Sequence, residues 1–307
     1  MNIVSSLQLI GSNLAFYLGL KSVRLPEKKI IRREKTVDAF LALASKSNLK
    51  IAYIDDVTTL LLYEGLLVSR KIKPDFSTPL YKAIEEKMKI PSDTLTFKVM
   101  EHITNSYLKS FQELDGAFIT PTRKMRYVIK CSPKGKTYFY ADTRQLIAKQ
   151  IPSLLKKKRV LVLTDHPDLF KVQFVRLKNS ENRKDLFDYS LLALDTFTLA
   201  QNTDRSLFFE SLDAIAMAVL NYSADVILLH CDVFSLPLLT FIGRLSTPCL
   251  VLGDEIYSMY GIGSKKKQED GQQGTEMIYL EDYDKEENED FQATTYLSKV
   301  PIDKNKR

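Results

Sequence analysis

The sequence is poor in the residues that metal and redox sites are built from. Of 307 residues, three are cysteine (Cys131, Cys231, Cys249) and three are histidine (His102, His166, His230). Three scattered cysteines cannot form a disulfide framework or a four-cysteine zinc site, and no HExxH spacing is present. Isolated thiols fit a reducing compartment, so the expected location is cytoplasmic. No RNP motif, helix-turn-helix signature or zinc finger occurs, so nucleic acid is disfavoured as a partner. A long uninterrupted apolar run is missing too. Residues Met1 to Leu20 carry no charge, but Asn2, Ser5, Ser6, Gln8, Ser12 and Asn13 interrupt them. A lipid span asks for roughly 20 mainly apolar residues.

What is present describes a globular chain. Apolar residues make up 45% and charged residues 27%, which excludes wholly disordered, collagen-like and polytopic membrane classes. The net charge is +6, unevenly spread: residues 264–307 hold 11 acids and 8 bases, leaving about +9 for the remainder. Such a body can favour polyanions, although its short basic runs also read as solvated faces. These runs are Lys28-Lys29 with Arg32-Arg33-Lys35, then Arg123-Lys124-Arg126, then Lys156 to Arg159. Ile3, Leu7, Ile10, Leu14 and Tyr17 share one helical face. That stretch reads as a core helix, a membrane-surface or single-span anchor, or a partner-binding helix. Lys21, Arg24, Lys28 and Lys29 after it suit an anchor, and hence a location peripheral to a membrane.

Periodicity predicts helices over Lys35–Ser45, Pro79–Met88, Thr96–Glu113, Thr143–Gln150, Leu186–Leu194, Phe209–Asn221 and Leu236–Leu245. Strands are predicted at Lys50–Ile54, Leu60–Tyr63, Gly116–Thr120, Tyr127–Cys131, Lys136–Tyr140, Arg159–Leu163, Phe197–Gln201, Asp225–His230 and Cys249–Leu252, with Gly65–Val68 a turn into another. Cys131 to Gly135 supplies turn residues for a hairpin. The expected class is α/β: a mixed-sheet, nucleotide-binding-like domain, then a small parallel Rossmann-like module. The expected organisation is 1–32 as an apolar helix and basic linker, 33–195 as the first domain, 196–263 as the second, and 264–307 as an acidic tail.

Three polar signals have plain alternatives. Tyr53-Ile-Asp-Asp56 looks like the paired carboxylates of reverse transcriptases, but a further upstream carboxylate is missing, which leaves an acidic turn at a strand end. Asp232 after the strand Asp225–His230 loosely resembles the phospho-acceptor of receiver domains. The proline falls five residues on instead of four, so a non-catalytic packing module is preferred. His230 and Cys231 are adjacent on an extended chain and face opposite ways, which disfavours a joint nucleophilic site.

The string KIAYIDDVTTLLLYEGLLVSRKI, then LDGAFI (114–119), ADTRQLIA (141–148) and RVLVLTDHPDLFKVQFV (159–175), resembles a diadenylate-cyclase domain over roughly 33–195. That family condenses two ATP into cyclic di-AMP. The resemblance implies a nucleotide-handling protein in which Asp115 is catalytic, Gly116 and Ala117 approach the nucleotide, Thr143 and Arg144 meet phosphate, and Thr164 and Asp165 stand at a strand end. It implies a divalent ion, Mg or Mn, on Asp115 and Asp165, an adenine nucleotide or cyclic dinucleotide as ligand, and a homodimer. Asp142 replaces the family's glycine, Gln145-Leu146 its His-Arg, and Thr164-Asp165-His166 its Ser-Glu-Glu, which puts catalysis in doubt. The competing expectation is a non-enzymatic signalling or scaffold protein, using the Rossmann-like part or the N-terminal helix to meet a protein or membrane. The central expectation is that Asp115, Arg144 and Asp165 converge on one anion-binding hollow.

Overall fold

The computed structural model describes residues 30–88, 94–195, 208–242, 246–263 and 278–279. The Phe197–Gln201 strand, the 1–20 helix and most of the acidic tail lie outside the described residues. The chain is α/β. Seven strands form one sheet in the order β3-β2-β1-β7-β6-β4-β5, and every pairing is parallel. They are β1 (Lys50–Ile54), β2 (Gly116–Ile119), β3 (Thr137–Tyr140), β4 (Arg159–Thr164), β5 (Ser190–Asp195), β6 (Val226–His230) and β7 (Cys249–Val251). Among the described residues no helix is long and apolar enough to cross a membrane.

Parallel strands buried on both faces need apolar side chains at every position, and these strands have them. Along β4, Leu161 and Leu163 enter the core on one face, and Val160 and Val162 the core on the other. The first face carries α2 (Asp56–Ser69), α3 (Thr78–Met88), α4 (Phe97–Glu113), α5 (Arg123–Cys131), α9 (Phe208–Leu220) and α10 (Ser235–Ile242). The second carries α1 (Thr36–Ala44), α6 (Arg144–Ala148), α7 (Ile151–Leu154), α8 (Pro167–Asn179) and α11 (Glu255–Met259). Crossovers toward the β3 edge run over the first face and crossovers toward the β5 edge over the second. One handedness for all connections requires this pairing of direction and face.

The expected mixed sheet is corrected to a wholly parallel one. The expected module boundary near 195 does not hold either: β6 and β7 insert between β1 and β4 and complete one sheet. Three local readings change. Leu60–Tyr63 and Gly65–Val68 lie in α2, which starts where the Asp55 carboxylate accepts the Thr58 N–H at 2.7 Å. An N-cap of this kind, followed by fourteen helical residues, outweighs a short β-like string. Tyr127–Cys131 is helical in α5, capped by Thr122 through the Met125 N–H, so the predicted hairpin is a helix-to-strand connection. Leu186–Leu194 gives strand β5 from Ser190 onward, because it pairs with β4 over six residues.

Candidate functional site

In a parallel sheet all strands end at one edge, and side chains in the connections there can converge. The sequence-predicted residues divide between the two edges. Asp115 precedes β2 and lies at the amino edge. Its N–H donates to the Lys50 carbonyl (2.9 Å), and its carboxylate accepts from the Lys50 N–H (3.0 Å) and Lys46 Nζ (2.7 Å). It ties the starts of β1 and β2 together. Asp225 does the same at β6: its carboxylate accepts the Arg159 N–H at 2.8 Å and pairs with the Arg159 guanidinium. Those contacts hold the Asp225 carboxyl below its ordinary range, the Arg159 side-chain bond being the main cause.

The strand register measures the separation from Asp165. Asp115 is level with Lys50, Cys249, Ile227 and Leu161, and Asp165 stands four residues beyond Leu161. That is about 13 Å along the strands and about 19 Å across four strand spacings. Asp115 and Asp165 therefore cannot share a metal ion, and the expected convergence of Asp115, Arg144 and Asp165 is corrected on this ground. Among the described residues no group of three His, Cys, Asp or Glu is placed to hold a metal. Gly116 and Ala117 pair on both sides, with Ile51 and Ala52 of β1 and Thr137 and Tyr138 of β3. They are buried sheet interior, not a turn open to a nucleotide.

Thr143, Arg144, Thr164 and Asp165 do reach the carboxyl edge, where the side chains of Thr143, Arg144 and Thr164 are taken up by internal contacts. The Thr143 hydroxyl donates to the Tyr140 carbonyl (2.7 Å) and the residue is 2% exposed. Arg144 donates from Nε to the Ala141 carbonyl (2.9 Å) and from Nη1 to the Leu252 carbonyl (3.0 Å). Its guanidinium lies over the Tyr53 ring at 3.5 Å, with the Glu255 carboxylate 3.9 Å away. The predicted phosphate ligand thus fastens α6 to the turn after β7. That turn holds Gly253 at φ +62°, and a Cβ there would lie 2.9 Å from Arg144 Nη1 and 3.0 Å from Tyr53 Cδ1. Thr164 is fully buried, its hydroxyl 3.3 Å from Tyr257 Oη and accepting the His166 N–H.

The strongest polar gathering lies where β4 and β6 end side by side. β4 continues into α8 on the second face and β6 into α10 on the first, so their connections leave in opposite directions. Crevices at such switch points are where open parallel sheets bind ligands. His230 ends β6. Its Nε2 is 3.3 Å from an Asp254 carboxylate oxygen, and its Nδ1 is sealed from solvent without a hydrogen-bond partner. The Tyr257 ring meets the imidazole edge-on at 4.4 Å, and His166 lies 6.2 Å from the same ring. Burial, chiefly, pushes the Tyr257 phenol well up, with Asp165 and Asp254 adding to it. Cys231 turns to the other face, 2% exposed, its thiol 3.7 Å from the Leu163 carbonyl. Asp232 opens a short 3-10 turn after β6.

The two edges carry opposite charge. Among the described residues, the segments entering the strands (45–50, 109–115, 130–136, 155–159, 176–190, 221–225) hold fourteen lysines and arginines against six acids. Those leaving them (55–57, 120–126, 141–145, 165–168, 195, 231–235, 252–256) hold nine acids against four bases. Helices between parallel strands start at the carboxyl edge and finish at the amino edge, where their dipoles favour acids and cations respectively. Tyr53 registers this field: burial raises its phenol first, and Asp55, Asp56 and Asp254 raise it further against Arg144.

Lys136 shows the same logic at the amino edge. Its Nζ donates to the last carbonyls around α4, Leu114 (2.6 Å) and Gln112 (2.5 Å). Burial nevertheless pulls the ammonium down to about 8, against the upward pull of Asp115 and Glu113. The unfolded lysine keeps its proton to about 10.4. Between those values the unfolded state binds more protons, so stability from this group rises with pH. Burial pushes the Cys249 thiol up to about 12, which pulls the opposite way over the same range, so the difference is what reports Lys136: from about pH 7.5 to 10.5 the urea midpoint of the wild type is expected to rise relative to that of Lys136→Met. Parallel profiles would show that Lys136 is not the group responsible.

Sequence reasoning noted Tyr53 in an acidic turn and Gly253-Asp254-Glu255 beyond a strand without giving either a role, and it passed over Tyr257. Gly253-Asp254-Glu255 at the end of an apolar strand was the available signal, by the same rule that drew attention to His230. Compared with known proteins, the chain matches no family model, no curated protein and no solved structure.

Proposed function

We propose that this chain binds a small polar molecule, uncharged or cationic, in the crevice between the carboxyl ends of β4 and β6, and that it does not condense nucleotides. The observation that carries the reading is the His230 imidazole at the switch point, with Nδ1 buried and without a hydrogen bond, between Tyr257 and Asp254. A buried polar atom left unsatisfied costs about 1–3 kcal/mol, and a turn of the imidazole that brings Nδ1 to the crevice lets a ligand's hydrogen bond recover it. The excess of acids along this edge opposes a bare triphosphate and favours neutral or positive ligands. Nucleotidyl transfer would need the 3′-hydroxyl-facing carboxylate beside the phosphate ligands, and Asp115 stands at the opposite edge. The sequence order supplies adenine as the ring to try, and His166, His230 and Tyr257 supply aromatic neighbours for it.

Calorimetry with adenosine, ATP plus Mg2+, and cyclic di-AMP tests the reading. Adenosine is expected to bind, with affinity reduced about tenfold or more in His230→Ala and unchanged in Asp115→Asn. Chromatography after incubating ATP with Mg2+ or Mn2+ is expected to show no cyclic di-AMP. Absence of heat with adenosine would remove the adenine class. Cyclic di-AMP formed by the wild type and lost in Asp115→Asn would overturn the proposal and restore the cyclase.

A further inference from the structure

We propose that the amino edge of the sheet is a docking surface for an anionic lipid membrane. The net charge there is +8 against -5 at the carboxyl edge, and it is assembled from six separate segments. Lys46, Lys134, Lys156, Lys157 and Lys184 are exposed on it. Several of its charges meet acids within the fold, namely Lys46 with Asp115, Lys50 with Glu113 and Arg159 with Asp225. The bases still exceed the acids by eight, which accounts for nearly all the excess that remains once the acidic tail is set apart.

The point of entry of the chain selects lipid over nucleic acid. Ile30 bridges Tyr138 in parallel register, and the Ile31 N–H donates to the Tyr138 carbonyl at 2.8 Å. A chain running parallel to β3 arrives there from the amino edge. The sequence just before Ile30 is Lys28-Lys29, with Arg24 and Lys21 further back, and ahead of these stands the uncharged stretch Met1–Leu20. Basic residues beside an apolar segment draw it to anionic headgroups, and two weak attachments acting together hold a protein where one alone does not. A nucleic-acid groove would instead interleave stacking aromatics with its cations. Of the four aromatic rings in these six segments, Phe111, Phe187 and Tyr189 are buried and Tyr222 alone is exposed, too few to interleave with fourteen cations.

Flotation of the full chain with vesicles is the test. Binding to vesicles of about 30% phosphatidylserine is expected to exceed binding to phosphatidylcholine alone by about tenfold or more. It is expected to fall several-fold in about 0.5 M salt, where screening shortens the reach of surface charge. A Lys156→Gln, Lys158→Gln, Lys184→Gln chain should lose most of the anionic preference while keeping its thermal midpoint. Leu7→Glu with Leu14→Glu should lose binding that survives salt. Equal binding to both vesicle types, no binding to either, or a lysine variant that floats like the wild type would each overturn the proposal. Binding of a random DNA duplex in preference to vesicles would overturn it in favour of nucleic acid.

Discussion

Gly253→Ala is expected to lower the unfolding free energy by about 3 kcal/mol, read from urea midpoints at constant slope. Two costs add. A left-handed backbone costs an ordinary L-residue roughly 1–2 kcal/mol. The new Cβ would also stand 2.9 Å from Arg144 Nη1, closer than real Cβ contacts come, and 3.0 Å from Tyr53 Cδ1, tighter than nearly all of them. Arg144 would have to leave either its stack on Tyr53 or its bond to the Leu252 carbonyl. A double-mutant cycle isolates the second cost. In an Arg144→Ala background the penalty should shrink by about 1–2 kcal/mol, leaving backbone strain and the remaining Tyr53 contact. Equal penalties in both backgrounds would show that Arg144 is not what the glycine makes room for.

Phe170→Ala should cost about 3–5 kcal/mol, the range for removing a fully buried aromatic ring. Phe170 is 0% exposed and lies under the candidate crevice, its ring 5.1 Å from Tyr257 and 5.0 Å from Tyr260. Tyr260 in turn bonds Tyr189 through their hydroxyls at 3.1 Å, joining α11 to the start of β5. The cavity therefore opens beneath the residue that positions His230. Thermal melts would show the loss of stability. Calorimetry of the surviving folded protein should show weaker adenosine binding than in a matched variant on the first face, such as Ile84→Ala, which is equally buried. If both variants bind alike, Tyr257 does not depend on Phe170 for its position.

Several local features could be read directly from the residues. The apolar runs Val160–Leu163 and Val226–Leu229 became central strands because only a doubly covered parallel strand buries every side chain. Helices α1, α3, α4 and α9 fall where apolar spacing placed them. Short apolar strings were the weak point: Leu60–Tyr63, Tyr127–Cys131 and Leu191–Leu194 suit helix or strand alike. The Asp55 and Thr122 caps settled two of these as helix, and pairing with β4 settled the third as strand.

The candidate site was legible in its parts. The resemblance placed Thr143 and Arg144 at a helix start and Thr164 and Asp165 at a strand end, and all four do reach the carboxyl edge. Asp115 was grouped with them by the resemblance to diadenylate cyclases, yet it precedes its strand where the others follow theirs. In a parallel sheet that single difference moves a residue to the opposite edge. Arg144 was expected to meet phosphate; its engagement with Leu252, 108 positions away, depends on β7 and α11 arriving beside it.

The amino-acid sequence by itself determined the α/β class, the buried strands and the short-range caps, because each depends on residues within a few positions of one another. Strand order, the insertion of β6 and β7 between β1 and β4, and the sorting of acids to one edge and bases to the other were decided only by the tertiary structure. The reason is that a parallel sheet joins segments distant in the chain and aligns them by direction, so a side chain's edge follows from whether it precedes or follows its strand.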